Sequence, residues 1–94
     1  MSMEDSAEEM VQLVLLIAEA LVDRPEEVTV EVTQVADTTV LTLWVAFKDR
    51  GRVIGRGGRI AQSVRIIVQA ASMKVKRRFS LDITESPQES RDPG

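Results

Sequence analysis

A two-layer α+β domain with the element order αββααβ and a three-stranded mixed sheet is the fold predicted by this 94-residue sequence. Three observations carry that expectation. Two long segments repeat apolar residues at helical spacing, and three shorter ones alternate with the period of strands. Between the second strand and the second long helix stands a glycine cluster, Gly55, Gly57 and Gly58, just after a short helical turn. The length suits one core and one domain, spanning residues 6–84 between a frayed start at 1–5 and a disordered tail at 85–94.

The elements follow in order. Ser6-Ala7-Glu8-Glu9 has the capping-box pattern, with Ser6 as cap and Glu9 three residues on, and opens a helix to about Val22 that ends before Pro25. Val28, Val30 and Val32 alternate with polar residues as a first strand, Ala36-Asp37-Thr38 turns the chain, and Val40 to Phe47 forms the second. Leu41, Leu43, Val45 and Phe47 share one face of that strand. A helical turn over about Arg50 to Ile54 precedes the glycine cluster. The helix over 59–73 then aligns Ile60, Val64, Ile67, Val68 and Ala71 as one buried stripe. Val75 to Thr84 is the last strand, with Val75, Phe79, Leu81 and Ile83 on one face. Two helices between the second and third strands form a crossover, so these strands should run parallel. The tail from Glu85 has no apolar anchor.

Composition excludes several classes of function. There is no Cys and no His, which removes the usual zinc ligands, the catalytic imidazole and the cysteine nucleophile together. The chain therefore reads as no enzyme and as needing no cofactor or metal. The glycine segment is neither GxGxxG nor a Walker A loop, because Gly58 is followed by Arg59. Met10 to Val22 is too short and, with Glu19, too charged to span a bilayer, and Glu4, Asp5, Glu8 and Glu9 before it carry the wrong sign for a secretory signal. A cytoplasmic location without membrane insertion is the expectation.

Charge is unevenly placed. The net value is −3, yet residues 48–78 hold ten basic side chains against Asp49 alone, while the remainder holds two against fourteen acids. A basic segment inside an acidic chain is the footprint of local polyanion binding. At its centre lies Val53-Ile54-Gly55-Arg56-Gly57-Gly58-Arg59-Ile60. Glycines there allow positive φ and close approach of a ligand to bare main chain. The following helix N-terminus favours an anion, and Arg56 and Arg59 add full charges.

This pattern, Val-Ile-Gly-x-x-Gly-x-x-Ile, resembles the GxxG core of KH domains, which clamp about four nucleotides of single-stranded nucleic acid. From about Met10 to Ile83 the chain is similar to the small bacterial single-KH proteins, the KhpA-like or YlqC-like family. Ala20-Leu21-Val22-Asp23-Arg24-Pro25-Glu26-Glu27-Val28 and Gly51-Arg52-Val53-Ile54-Gly55 are further matching stretches. The resemblance implies a prokaryotic, type II KH fold and a regulatory or chaperone-like RNA binder. It places Arg52, Val53, Ile54, Gly55, Arg56, Gly57, Gly58 and Arg59 at the RNA. Arg56 is the first choice for phosphate, with Gly57 and Gly58 offering backbone N–H groups. Val53 and Ile54 serve the groove floor or the core, and Arg65 and Lys48 are flanking candidates. Position 57 departs from the family, where a larger polar side chain is usual, and this predicts a looser loop.

Three aromatics, Trp44, Phe47 and Phe79, are too few for a stacking platform, so weak sequence readout is expected. Phe47 and Phe79 read as core. Trp44 falls on the opposite strand face, and Val11, Leu15, Ala18 and Val22 form a second apolar stripe on the first helix. Either surface would suit a homodimer or a heterodimer with another KH-domain protein, as the resemblance also implies for some bacteria. The expected partners are thus single-stranded RNA, with single-stranded DNA left open, and a second KH protein. The alternative function is a KH-fold interaction module that binds RNA weakly.

Overall fold

The computed structural model describes residues 3–86, with side chains from residue 6 onward. Its elements are α1 (Met3–Leu21), β1 (Thr29–Val35), β2 (Thr38–Val45), α2 (Arg50–Ile54), α3 (Arg59–Val75) and β3 (Arg78–Glu85), joined in part by single 3-10 turns at Pro25–Glu27, Phe47–Asp49 and Arg56–Gly58. The order is αββααβ as expected. β1 pairs antiparallel with β2, β2 pairs parallel with β3, and the sheet order is β1-β2-β3.

On α1, Met10, Val14 and Ala18 recur at i, i+4 and i+8 and are buried, as the helical period requires. Val11, Leu15 and Val22, expected to form an open second stripe with Ala18, instead pack against the same core. The correction has a simple cause: α1 touches the sheet, α2 and α3 together, so more than one flank is covered. The helix also starts before Ser6. That residue is buried inside the first turns instead of capping them.

The hairpin turns at Ala36-Asp37, with Val35 opposite Thr38 and Ala36 at φ 56°. Leu41, Leu43 and Val45 of β2 lie beside Phe79 and Leu81 of β3 on the helix-covered face, and all five are buried. Trp44 points the other way and is half-buried, its Nε1 donating to Glu31 Oε1 at 3.2 Å across the strands. The indole leans on its own sheet.

Four boundaries and packing expectations are corrected. Strand β2 ends at Val45, and Phe47 enters the 3-10 turn with 48% of its surface exposed, so it is not core. Helix α3 runs on to Val75 and stops where Lys76 takes a left-handed conformation, φ 58°, so Lys76 and Arg77 belong to a turn and not to a strand. Of the expected stripe of α3, Val64 and Val68 are buried and Ile60 and Ala71 pack partly buried against the core, but Ile67 is 43% exposed, and Ala61 and Ser72 complete the buried line instead. Ser72 satisfies its hydroxyl on the Val68 carbonyl at 2.8 Å. Glu85, assigned above to the tail, ends β3 and pairs with Arg50 at 2.9 Å. The rest of the expected tail, residues 87–94, lies outside the described residues.

Leu41 is fully buried at the centre of the middle strand. Leu41→Ala is expected to destabilise the fold by about 2–5 kcal/mol, the lost transfer energy plus the cavity, with the urea midpoint falling and the m-value unchanged.

Candidate nucleic-acid interface

The segment that joins β2 to α3 is anchored by one buried carboxylate. Asp49 is 2% exposed, and its two oxygens accept the backbone N–H groups of Asp23 at 3.2 Å and Arg24 at 3.0 Å. These donors stand in the connector after α1, so the start of α2 is tied to a segment 25 residues away in sequence. Arg52 closes the cluster, with Nη2 at 3.0 Å from Asp23 and Nε at 3.6 Å from Asp49. A buried carboxylate holds its place only when its oxygens are satisfied, and these donors satisfy them. Sequence reasoning counted Asp49 merely as the lone acid of a basic segment. That isolation was the available signal.

From this anchor α2 delivers the chain to Gly55, which has φ 81° and ψ 170°, a region essentially reserved for glycine. A Cβ there would lie 2.6 Å from Ile60 Cγ1 and 2.9 Å from the Ile60 backbone nitrogen. A side chain at Gly55 would therefore collide with the first turn of α3. Gly57 at φ 66° and ψ 16° and Gly58 at φ 78° and ψ 12° are both left-handed, and nothing lies within 4 Å of a Cβ added at either. The Gly58 N–H donates to the Gly55 carbonyl at 3.1 Å. This corrects the expectation that both glycine amides are available, and leaves Gly57 as the amide of the pair that the turn does not consume.

The expected site residues separate into three groups. Val53 is 1% exposed and belongs to the core, Ile54 is half-buried, and Ile60 packs against the core beneath Gly55. Arg52 is engaged by Asp23 and Asp49, so its role in the structure is to brace α2. Arg56 and Arg59 are exposed on either side of the glycine pair, and neither has an ion-pair or side-chain hydrogen-bond partner among the described residues. Lys48 is also exposed, in the turn before α2.

Tertiary pairing thins the basic segment selectively. Arg50 meets Glu85, Arg52 meets Asp23 and Asp49, and Arg78 meets Asp37 at 3.7 Å. Arg77 donates to Thr39 Oγ1 at 2.7 Å and stacks over the Phe79 ring, 5.0 Å to its centroid. The loop cations escape such pairing. Two cations beside a left-handed glycine pair can meet a phosphate backbone at close range.

The loop geometry separates the glycines by their cost. Gly55→Ala must move Ile60 or the α3 backbone and is expected to lower stability by more than 2 kcal/mol, roughly the strain of a forbidden conformation plus the clash. Gly57→Ala meets open space and should lose only about 1 kcal/mol for the left-handed conformation. Guanidinium denaturation of the two variants side by side checks the order, and equal losses would contradict it.

Comparison with known proteins gives a consistent result. The chain matches the family model described as KhpA/KhpB, KH domain, over residues 11–83. It is 45% identical over 72 residues to RNA-binding protein KhpA of Caldanaerobacter subterraneus, covering 77% of this chain and 96% of that protein. It is 40% identical over 74 residues to RNA-binding protein KhpA of Clostridium perfringens, with coverage of 79% and 99%. The protein of the same name from Treponema pallidum is 42% identical, with coverage of 79% and 92%. Among solved structures, Era from Aquifex aeolicus aligns with a TM-score of 0.56 at 14% identity over 81% of this chain and 29% of that one, a likeness of fold alone. Among the described residues no helix is long and apolar enough to cross a membrane. The element order, the mixed sheet and the glycine turn between α2 and α3 are those of a type II KH domain, and this chain belongs to the KhpA/KhpB KH-domain family.

Proposed function

We propose that this chain is an RNA-binding protein that holds short single-stranded segments at Gly55-Arg56-Gly57-Gly58. Arg56 and Arg59 contact phosphates, and the Gly57 amide gives the backbone a close hydrogen bond. The observation that carries this reading is that the two loop arginines are exposed and unpaired while neighbouring arginines are neutralised. The names of the relatives, RNA-binding protein KhpA, support it. Val53 and Ile54 serve by holding the loop, and Arg52 serves by bracing α2. A clamp of few phosphates without a stacking platform suits a regulatory or chaperone-like holder of RNA acting without a cofactor.

Replacing Arg56 and Gly57 together with Asp places two carboxylates at the phosphate path. Both positions are exposed, and Asp tolerates the left-handed conformation of residue 57 better than most residues. Binding of a fluorescent single-stranded RNA should be abolished while the circular dichroism spectrum is kept. For the wild type, affinity should fall as salt rises, with a slope of about −0.7 for each phosphate neutralised. Equal affinity of the variant and the wild type would sink the reading. Parallel titrations with single-stranded DNA and duplex RNA decide its selectivity.

A second reading, docking of another KH protein or a second copy, is favoured by α3. Ile66 is 62% exposed, Met73 76% and Ile67 43%, and with Ala70 they form one outward apolar strip. On α1, Leu16 is also open, at 68%. Sedimentation should show a concentration-dependent dimer that Ile66→Glu converts to monomer. A wild type that stays monomeric at high concentration contradicts self-association.

A further inference from the structure

Phe47 stands out from its surroundings in the chain. Val45, Ala46 and Asp49 are all buried, yet 48% of the Phe47 surface is open. Alternation along β2 would send its ring into the core; instead the chain bends after Val45, and the 3-10 turn Phe47–Asp49 carries the ring outward. The Asp49 N–H closes that turn on the Ala46 carbonyl at 2.8 Å, and the Asp49 carboxylate ties it to the backbone of Asp23 and Arg24. The ring is therefore exposed on a backbone fixed from both sides. An apolar surface left in water forgoes the gain of burial, and a rigid mount of this kind suits a contact residue.

The other two aromatics are engaged. Trp44 donates to Glu31 and lies half-buried on the sheet, and Phe79 is buried beneath the Arg77 guanidinium. Beside Phe47 stands Lys48, exposed and in no ion pair among the described residues. A cation next to a single open ring favours a nucleotide over an apolar protein surface. Only α2 separates this pair from the glycine loop. At the rises of a 3-10 turn and an α-helix, Phe47 lies about 14 Å from Gly55 along the chain. A strand held at the loop and continued along α2 brings a neighbouring nucleotide within reach of the ring.

We propose that Phe47 stacks the base of a nucleotide just outside the glycine clamp, on the α2 side of the loop, with Lys48 on its phosphate. The inference rests on the RNA-binding reading above and lengthens the footprint past the nucleotides that the loop itself clamps. An unpaired base presents a π face to such a ring, and a ring already fixed in place loses little freedom on stacking. Every base has that face, so the contact adds affinity with little sequence preference. One ring falls short of a stacking platform. The sequence concealed it because Phe47 continues the apolar alternation of β2.

The test is anisotropy titration of all-uridine RNAs of four to eight nucleotides, and of the longer strands with abasic nucleotides in place of the terminal ones at either end. Wild-type affinity should rise about tenfold once the strand reaches past the clamp, and abasic nucleotides at one end, but not the other, should remove that gain although every phosphate is kept. Phe47→Leu keeps an apolar side chain without a π face. It should lose the gain while four-nucleotide affinity stays within about twofold. Phe47→Trp should keep the gain, and its indole should add fluorescence, beyond that of Trp44, that the longer strands quench and the four-nucleotide strand does not. A wild type whose affinity does not rise with length overturns the proposal and leaves the loop reading standing. A gain that survives abasic nucleotides at both ends overturns it as well, assigning the contact to Lys48 and phosphate. So does a Phe47→Leu variant that keeps the gain, which makes the open ring a bystander. The abasic strands are read on the wild type, so the outcome is decided even where a variant is unstable. Failure of the loop reading would show separately, as unchanged four-nucleotide binding by the Arg56→Asp/Gly57→Asp variant.

Discussion

The parallel pairing of β2 with β3 is the constraint on which the rest of this molecule depends. Adjacent parallel strands cannot be joined by a tight turn, so the chain must leave the end of β2, cross one face of the sheet and re-enter at the start of β3. The candidate site lies in that crossing, with the Asp49 anchor, α2, the glycine turn and α3. The crossing is broken into two helices, α2 and α3. Gly55 supplies the break, with a backbone conformation and a contact with Ile60 that a side chain would forbid.

The two ends of α2 are held by different physics. At its start, a buried carboxylate receives two backbone N–H groups and the Arg52 guanidinium, so directional bonds fix its place against the α1 connector. At its end, close backbone packing on Ile60 fixes the angle at which α3 departs. A five-residue helix has little stability of its own, and tertiary contacts must hold it. The loop between these supports is consequently preorganised: its turn is closed by the Gly58 to Gly55 hydrogen bond before any ligand approaches. At Gly57 the left-handed conformation costs a glycine almost nothing where a larger residue would be strained.

Electrostatics is arranged by subtraction. A stretch with ten basic residues against one acid would bind polyanions along its whole length if all its cations were free. The acids of the α1 connector, the hairpin turn and the end of β3 engage Arg52, Arg78 and Arg50. Arg77 is drawn onto Thr39 and Phe79. What remains unpaired is concentrated at the loop and at the far end of α3, with Arg65 and Gln69 between them along the β3 edge. A net acidic chain can thus carry a narrow cationic track, and its acids limit indiscriminate attraction elsewhere.

By itself the sequence determined the element order, the mixed sheet, the hairpin and the glycine turn, because these follow from local periodicity and from residues with special backbone freedom. Arg56 and Arg59 were legible for the same reason: they sit within the motif that gives them their place. The misreadings share one cause, that burial is decided by what arrives from elsewhere in the chain. Phe47 continues the alternation of β2 but lies beyond its end, and Ile67 fits the helical stripe of Ile60, Val64, Val68 and Ala71 yet stands at its margin, where nothing covers it. Val11, Leu15 and Val22 look surplus until α1 is seen packed against the sheet and the other helices. Which arginines are free and which are braces was likewise decided only by the fold, since Asp23, Asp37 and Glu85 reach their partners across at least 29 residues of sequence. Local pattern encodes what each segment becomes; long-range contact determines which of its side chains are left exposed to meet a ligand.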